Sequence, residues 1–353
     1  MDETRSLVVV LDPAATNRER DAIMRAAGGL HPGASMARGD AWAAIAVGDG
    51  LSPADVERFR DMPCVRRIVD VTAPYRLASR EVLDHYTSVR IGGEPGGDPA
   101  ALGPEVGGDA PIGVMVGCKA ATLSPERLRT LARLIREAGA SLLFAGEVAP
   151  VSGAEDPSVA GLSAMARVRD AVEDAGLAVC VEVSDHRHIA DVSKVADVLQ
   201  VGSRNMQDFN LLRELGRADR PVLLKRGFGA TVEEFLLAAE YVLTHGNGRV
   251  ILCESGIRTF DATGRPRFEI NAIPVIKRAT HLPLIADPSQ ATPHARLVPA
   301  VARAAIAAGA DGLVLEVSDE GGREPADGAI GISTFRDLMR DLEPIASAVG
   351  RRM

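Results

Sequence analysis

The sequence has few cysteines and few aromatic residues, and it has no long apolar run. Its four cysteines, Cys64, Cys118, Cys180 and Cys253, are widely spaced and form no CxxC pair, so no disulfide framework is expected. Aromatic residues make up 3% of the chain and no Lys/Arg stripe accompanies them, which argues against a nucleic-acid partner. Because no 18 apolar residues follow one another and the N-terminus is acidic, neither a membrane span nor a signal peptide is expected, and the expected compartment is the cytoplasm.

What the chain does contain is enough apolar sequence for an ordinary folded protein. Apolar residues account for 46% of its 353 positions, and this length allows a large domain with a small one, or two of middling size. The formal charge of -8 is moderate. A phosphorylated or carboxylated metabolite would therefore need a local cationic pocket.

The first 75 residues predict a small α/β domain. Strand-like runs and helix-like segments alternate over residues 6 to 73 in the order β-α-β-β-α-β, which is the ferredoxin-like pattern. A stretch rich in glycine and proline (92 to 111) has no periodicity. We therefore expect a ferredoxin-like domain over residues 1–75 and a linker over 76–110.

From residue 111 to 353, short apolar runs are each followed by an amphipathic segment, which is typical of parallel β/α units. Eight such runs occur, at 111–117, 141–146, 178–184, 198–202, 221–227, 249–255, 283–289 and 312–318. Their number predicts an α/β fold of the (β/α)8 TIM-barrel type. A doubly wound sheet is the alternative, but the dinucleotide-binding glycine fingerprint is absent from the sequence.

Polar residues at the C-terminal ends of barrel strands line a common mouth, so they are the candidate functional residues. The eight runs deliver there Cys118, Lys119, Glu147, Glu182, Asp185, Ser203, Arg204, Lys225, Arg226, Glu254, Ser255, Asp287, Ser289, Gln290, Glu316 and Asp327. Arg204, Lys225 and Arg226 come from neighbouring strands and suit an anionic small-molecule substrate. The alternative is that they pair with the mouth carboxylates as a structural ring.

Several long segments resemble one enzyme family. The runs LQVGSRNMQDFNLLRELG, PVLLKRGFGATVEEFLLAAEYVL, VILCESGIRTFD and LPLIADPSQAT are similar to the barrel of type I-beta DAHP synthase, of the 3-deoxy-7-phosphoheptulonate/KDO8P synthase superfamily. PYRLASREV, at 74 to 82, is similar to the link after that family's ferredoxin-like regulatory domain. The resemblance implies condensation of phosphoenolpyruvate with erythrose 4-phosphate at a divalent metal, an aromatic amino acid as effector, and a homodimer or homotetramer.

The family's metal ligands are only partly matched. The resemblance assigns a Glu and an Asp ligand to Glu316 and Asp327. The family's His position is Gln290, and its Cys position is Lys119 unless Cys118 shifts by one. An amide is a poor replacement for imidazole and an ammonium repels a cation, so we expect either no required cofactor or a weakly bound divalent metal. His294 is a further candidate ligand.

The family's phosphate-binding cations are also reduced. Its Lys-Pro-Arg-Thr segment and preceding Arg are missing from the run Phe144 to Ser152, and Ser255 replaces another Arg. We therefore expect a repurposed aldol-type enzyme that forms or breaks a C–C bond, or cyclises a keto or phosphorylated metabolite. Authentic DAHP synthase activity and a non-catalytic regulatory role are the alternatives. The predicted catalytic residues are Lys119, acting as an imine-forming amine or a fixed cation, Lys225 and Asp287. The predicted substrate-binding residues are Arg204, Lys225, Arg226, Glu147, Glu254, Ser255 and Gln290.

Overall fold

A computed structural model provides the architecture of the chain. It describes residues 6–92, 103–148, 157–260, 266–292, 294–318 and 328–353, with side chains described from residue 161 in the helix that begins at 157.

The N-terminal part folds as a four-stranded antiparallel sheet with two helices. Its elements are β1 (Ser6–Leu11), α1 (Asn17–Leu30), β2 (Ser35–Arg38), β3 (Ala43–Asp49), α2 (Pro53–Arg60) and β4 (Val65–Val71). The strand order β2-β3-β1-β4 is that of a ferredoxin-like domain, which confirms the prediction. Both helices begin at capping boxes, at Thr16 with Glu19 and at Ser52 with Asp55, because these side chains satisfy the first free backbone N–H groups.

A two-stranded antiparallel hairpin connects this domain to the barrel. Its strands are β5 (Ser88–Arg90) and β6 (Glu105–Gly107), and the second lies within the segment expected to be irregular. Val89, Ile91 and Val106 of the hairpin are buried in one apolar cluster with inward-facing barrel residues. The hairpin therefore closes the N-terminal end of the barrel. At residues 105–107, pairing with β5 overrides the glycine-rich composition of the sequence.

The remaining residues form a closed parallel barrel surrounded by helices. Its elements are β7 (Gly113–Gly117), α3 (Pro125–Glu137), β8 (Leu142–Val148), α4 (Pro157–Val172), β9 (Ala178–Val183), α5 (Ile189–Val195), β10 (Val198–Val201), α6 (Phe209–Leu215), β11 (Val222–Lys225), α7 (Val232–Thr244), β12 (Val250–Glu254), β13 (Ile257–Arg258), β14 (Pro266–Arg267), α8 (Ala272–Ala279), β15 (Leu284–Ala286), α9 (Pro288–Ala291), α10 (Val298–Ala307), β16 (Gly312–Ser318), β17 (Ile330–Gly331) and α11 (Ile332–Ala348). Strands β7 to β12 are joined in sequence, and β15 and β16 close the ring by pairing β16 with β7. The predicted (β/α)8 barrel is confirmed.

The barrel interior is apolar below its C-terminal end. The inward-facing side chains of this layer include Met115, Cys180, Leu223, Ile251, Cys253, Ile285 and Val314. Outward-facing residues of the same strands pack on the helices in a second, larger core. Polar groups are therefore concentrated at the C-terminal ends of the strands, which we call the mouth.

The small domain contacts the barrel at the end opposite the mouth. The backbone N–H of Arg38 donates to Gly246 O, and that of Gly248 donates to Arg38 O at 2.8 Å, both in the loop before β12. The Trp42 ring meets the ring of His281, just before β15, edge-on at 4.9 Å. Loops that precede barrel strands lie at the barrel's N-terminal end, so these contacts hold the small domain away from the mouth.

Among the described residues, none of the helices combines the length and the apolar character that a membrane span requires.

Candidate active site

The register of the barrel strands places three of the predicted mouth residues, Glu147, Glu182 and Glu316, on one inner ring. Glu147 on β8 stands beside Glu182 on β9, and Glu182 stands beside Gln200 on β10. Glu316 on β16 stands beside Gly117, and its carboxylate lies where a Cβ at residue 117 would be. Glu182, Gln200 and Glu316 point inward because they keep the alternation of the apolar layer below them.

Glu147 reaches the mouth because of an irregularity in β8. Phe144 pairs with Cys180, but Gly146 pairs with Val181 and Glu147 with Glu182, so β8 contains one extra residue. Gly146 has a φ of +128°, a conformation that side chains rarely adopt. The bulge shifts the inward phase of β8 by one position, which turns Glu147 inward.

Lys225 is a buried cation at the mouth. Its Nζ donates to Oδ2 of Asp287 at 2.7 Å and to Oε1 of Gln290 at 3.4 Å. Burial lowers the pKa of Lys225, but the neighbouring Asp287 carboxylate outweighs this effect and the net pKa is raised. Lys225 therefore remains an ammonium, held by a carboxylate that also caps α9 by accepting from Gln290 N at 3.1 Å.

Arg226 and Glu254 form a second buried ion pair. Nη1 of Arg226 donates to Oε2 of Glu254 at 2.8 Å, and its Nε donates to Ala230 O at 3.0 Å. The other Glu254 oxygen accepts from Gly256 N at 2.8 Å. Burial raises the pKa of Glu254, and the Arg226 guanidinium opposes that rise. These contacts match the structural-ring alternative for this pair, and a substrate-binding role for either residue stays a prediction.

Glu182 is a partly buried carboxyl group on the inner ring, beside Glu147. Gln200 Nε2 donates to its Oε2 at 2.6 Å, and its Oε1 lies where a Cβ at Gly202 would be. Burial raises the pKa of Glu182, and the neighbouring Glu147 raises it further. Gln200 was not predicted as a site residue, although a lone amide within the apolar run Val198–Val201 is the signal that could have identified it.

Two residues of the β10 to β12 sector differ in exposure. The Arg204 side chain is 80% exposed, and its Nη2 lies 3.9 Å from Oε2 of Glu147. Ser255 is fully buried, and its Oγ lies 3.0 Å from Oγ of Ser203. Arg204 is thus a cation open to solvent at the rim, whereas Ser255 contributes only a small hydroxyl group inside it.

Lys119 and Cys118 follow β7 directly. Cys118 is buried, while Lys119 is exposed at the rim. Lys119 has a φ of +49° and is the only non-glycine residue with positive φ in the described ranges. This left-handed conformation is costly for a side-chain-bearing residue and concentrates at functional sites, so it marks Lys119 as a candidate.

The donor set of the described residues does not fit the metal that the resemblance implies. Gln290 has its Oε1 beside the Lys225 ammonium, which would repel a metal ion bound there. His294 is exposed, and Asp327 lies outside the described residues. The described part of the chain contains no group of three or more His, Cys, Asp or Glu side chains arranged for a metal. Cys118 and Glu316 remain the other candidate donors, and weak metal binding stays a prediction.

A closed (β/α)8 barrel with charged and amide side chains gathered at its C-terminal mouth is the architecture of a barrel enzyme. Residues 107–345 match the DAHP synthetase I family, and the chain belongs to that family. The resemblance seen in the sequence is confirmed.

One relative matches the chain over nearly its whole length, and another matches about two thirds of it. It is 31% identical over 350 residues to phospho-2-dehydro-3-deoxyheptonate aldolase of Thermotoga maritima, covering 98% of this chain and 99% of that protein. A crystal structure of the Thermotoga maritima protein matches 99% of each chain with a TM-score of 0.70 at 32% identity. A 2-dehydro-3-deoxyphosphooctonate aldolase of Geobacter sulfurreducens is 26% identical over 268 residues, 69% of this chain and 96% of that protein. The family is thus one of aldol-type enzymes.

Proposed function

We propose that this chain forms or breaks a carbon–carbon bond, or cyclises its substrate, by aldol-type chemistry on a small keto compound bound in the mouth. The observation that carries the proposal is the contact of Lys225 with both Asp287 and Gln290. These contacts fix the Lys225 ammonium beside Gln290, where the family resemblance implies a metal ligand. Membership of an aldol-type family supports the reaction class.

Lys225 is proposed to bind the carboxylate or the developing enolate oxygen of the substrate. A buried ammonium stabilises such an oxygen strongly because little water screens it. Asp287 fixes the orientation of the ammonium through their 2.7 Å contact. Gln290 lies exposed above this pair, so a substrate would replace its weaker 3.4 Å contact before that of Asp287.

Lys119 is proposed to act on the same substrate from the end of β7. It acts either as a second fixed cation or as an amine that attacks the keto carbon, with loss of water, to give an imine. Its left-handed backbone conformation, with a φ of +49°, supports a functional role at this position.

A charge-preserving substitution separates the two roles of Lys119. Arginine retains the positive charge but cannot form an imine, so Lys119→Arg should keep most activity if Lys119 is a fixed cation and lose about 100-fold or more if it forms an imine. The wild type should be treated with borohydride and a panel of 2-keto acids, and the adducts mapped by mass spectrometry. Lys194→Arg is the matched control, since Lys194 is an exposed residue paired with Asp191 on α5.

An unmodified Lys119 across the panel, together with full activity of Lys119→Arg, would exclude the imine. If the wild type turns over none of the keto compounds, that result would instead favour the non-catalytic alternative.

The 31% identity to the Thermotoga maritima protein over nearly the whole chain favours a second candidate, authentic 3-deoxy-7-phosphoheptulonate synthase activity. It is tested by incubating the chain with phosphoenolpyruvate and erythrose 4-phosphate, with and without added Mn²⁺ or Zn²⁺, and measuring bound metal. Formation of the heptulosonate product with one metal ion bound per chain would establish this second candidate in place of a repurposed reaction.

The proposed enzyme acts on an anionic small molecule in the cytoplasm and needs neither nucleic acid nor a membrane. We propose a homodimer or homotetramer, because the resemblance implies assembly through the small domain. Sedimentation measurements at several protein concentrations test this assembly.

A further inference from the structure

The bulge in β8 places a carboxylate beside the exposed cation of the mouth. Gly146 rephases β8 so that Glu147 pairs with Glu182. Oε2 of Glu147 then lies 3.9 Å from Nη2 of Arg204, across the strand that lies between β8 and β10. The Glu147 side chain is 31% exposed and that of Arg204 is 80% exposed, so both groups are accessible to a ligand.

This arrangement determines which ligands Arg204 can bind. A phosphate dianion that approaches the guanidinium would come within a few ångströms of the Glu147 carboxylate. Like charges a few ångströms apart repel each other appreciably even near a protein surface. Hydroxyl groups meet no such repulsion, because carboxylates accept hydrogen bonds from them. Gln200 is buried beneath this surface and holds the Glu182 carboxyl group by donating to it.

We infer that Glu147 is a specificity-determining residue that keeps phosphate dianions off Arg204, so that this sector of the mouth receives an uncharged, hydroxyl-bearing part of the substrate. The inference rests on the proposed function only in placing the substrate in this mouth. The 2-keto group binds on the Lys225 side, and the hydroxylated end lies across β8 to β10.

Binding of inorganic phosphate, measured by calorimetry without any turnover, tests the inference. Glu147→Gln removes the charge with little change of shape and should increase phosphate affinity about tenfold over the wild type. The double variant Glu147→Gln with Arg204→Gln should lose that gain in phosphate affinity, because the Arg204 guanidinium that would bind the phosphate is then absent. Glu57→Gln is the matched control: it removes the same charge from an exposed ion pair with Arg60 on α2 and should leave phosphate affinity unchanged.

The inference is overturned if Glu147→Gln binds phosphate no better than the wild type, if the gain persists without Arg204, or if Glu57→Gln shows the same gain. Glu147→Ala, measured in the same way, replaces Glu147→Gln if the latter does not fold. Phosphate binding does not require catalysis. The binding experiment can therefore be interpreted even if the imine or turnover experiments fail, and those experiments can be interpreted even if the binding experiment fails.

Discussion

Lys225 is a buried cation whose charge is compensated by the carboxylate of Asp287. Its side chain and that of Asp287 are both less than a tenth exposed, and the two groups lie 2.7 Å apart. A buried pair of this kind adds little net stability compared with apolar residues, but the loss of one partner leaves an uncompensated charge. Asp287 therefore has a structural role as well as the proposed orienting one.

We predict that Asp287→Asn lowers the free energy of unfolding by about 3 to 5 kcal/mol. Asparagine can still accept from Gln290 N at the start of α9, so the substitution mainly removes the charge. Urea unfolding measures the change. Asp191→Asn is the control, because its exposed pair with Lys194 is expected to contribute less than about 1 kcal/mol. A loss for Asp287→Asn as small as that of the control would contradict the burial argument.

At the scale of elements, the segment after β4 is attached to the barrel by buried polar groups. Glu240 on α7 accepts from Leu77 N at 3.0 Å and from Ala78 N at 2.9 Å. His281 contacts Leu77 O through Nε2 at 2.8 Å, which requires a proton on that nitrogen. These bonds satisfy backbone groups that would otherwise be buried without partners, which is costly. They fix where the small domain meets the barrel.

His281 should make the stability of this attachment depend on pH. Burial, with smaller contributions from Arg80 and His85, lowers the pKa of His281 from 6.5 to about 4, although the Leu77 carbonyl opposes the shift. Between these values the unfolded chain binds a proton that the folded chain does not. Stability contributed by neutral His281 is therefore complete above pH 6.5 and is lost as the pH falls toward 4, by about 3 kcal/mol in total.

The measurement compares unfolding free energies of the wild type and His281→Asn from pH 4 to pH 8. Their difference should shrink as the pH falls, since the variant lacks the titrating group. His186→Gln, which changes an exposed histidine, is the control variant. A constant difference between the wild type and His281→Asn would mean that His281 does not titrate in this range.

At the scale of the whole molecule, the small domain shares a core with the barrel. Val8, Val10, Trp42 and Val71 are buried in the same cluster as the outward faces of the barrel strands and their helices. Trp42 is 4% exposed and packs on His281. The two parts should therefore unfold together. Removing the Trp42 side chain from the shared core should separate their unfolding transitions.

We predict that Trp42→Ala lowers the free energy of the first unfolding transition by about 3 to 5 kcal/mol, because it leaves a cavity between the two parts. Scanning calorimetry should show the wild type melting in one transition and the variant in two. Phe260→Ala is the matched aromatic control: Phe260 is fully exposed, so its removal should leave the melting curve unchanged. A single, unshifted transition in Trp42→Ala would show that this contact does not couple the two parts.

The order of elements could be predicted from the sequence because it depends on local patterns. Eight apolar runs separated by amphipathic segments require parallel strands buried on both faces, and the β-α-β-β-α-β order requires a separate small sheet. The same patterns identified the polar residues that follow the strands. The family could also be recognised from contiguous segments.

The partners of those polar residues were decided by the tertiary structure. Arg226 with Glu254 and Lys225 with Asp287 join strands 28 and 62 residues apart in the chain, so their pairing depends on how the barrel closes. Glu147 points inward only because a bulge at Gly146 reverses the alternation of β8. The pattern of apolar and polar residues in the sequence does not show where such an extra residue is inserted. The sequence by itself determined the barrel and which side chains end its strands. Only the closed ring, through its register, decided which of them remain accessible at the mouth and which neutralise one another.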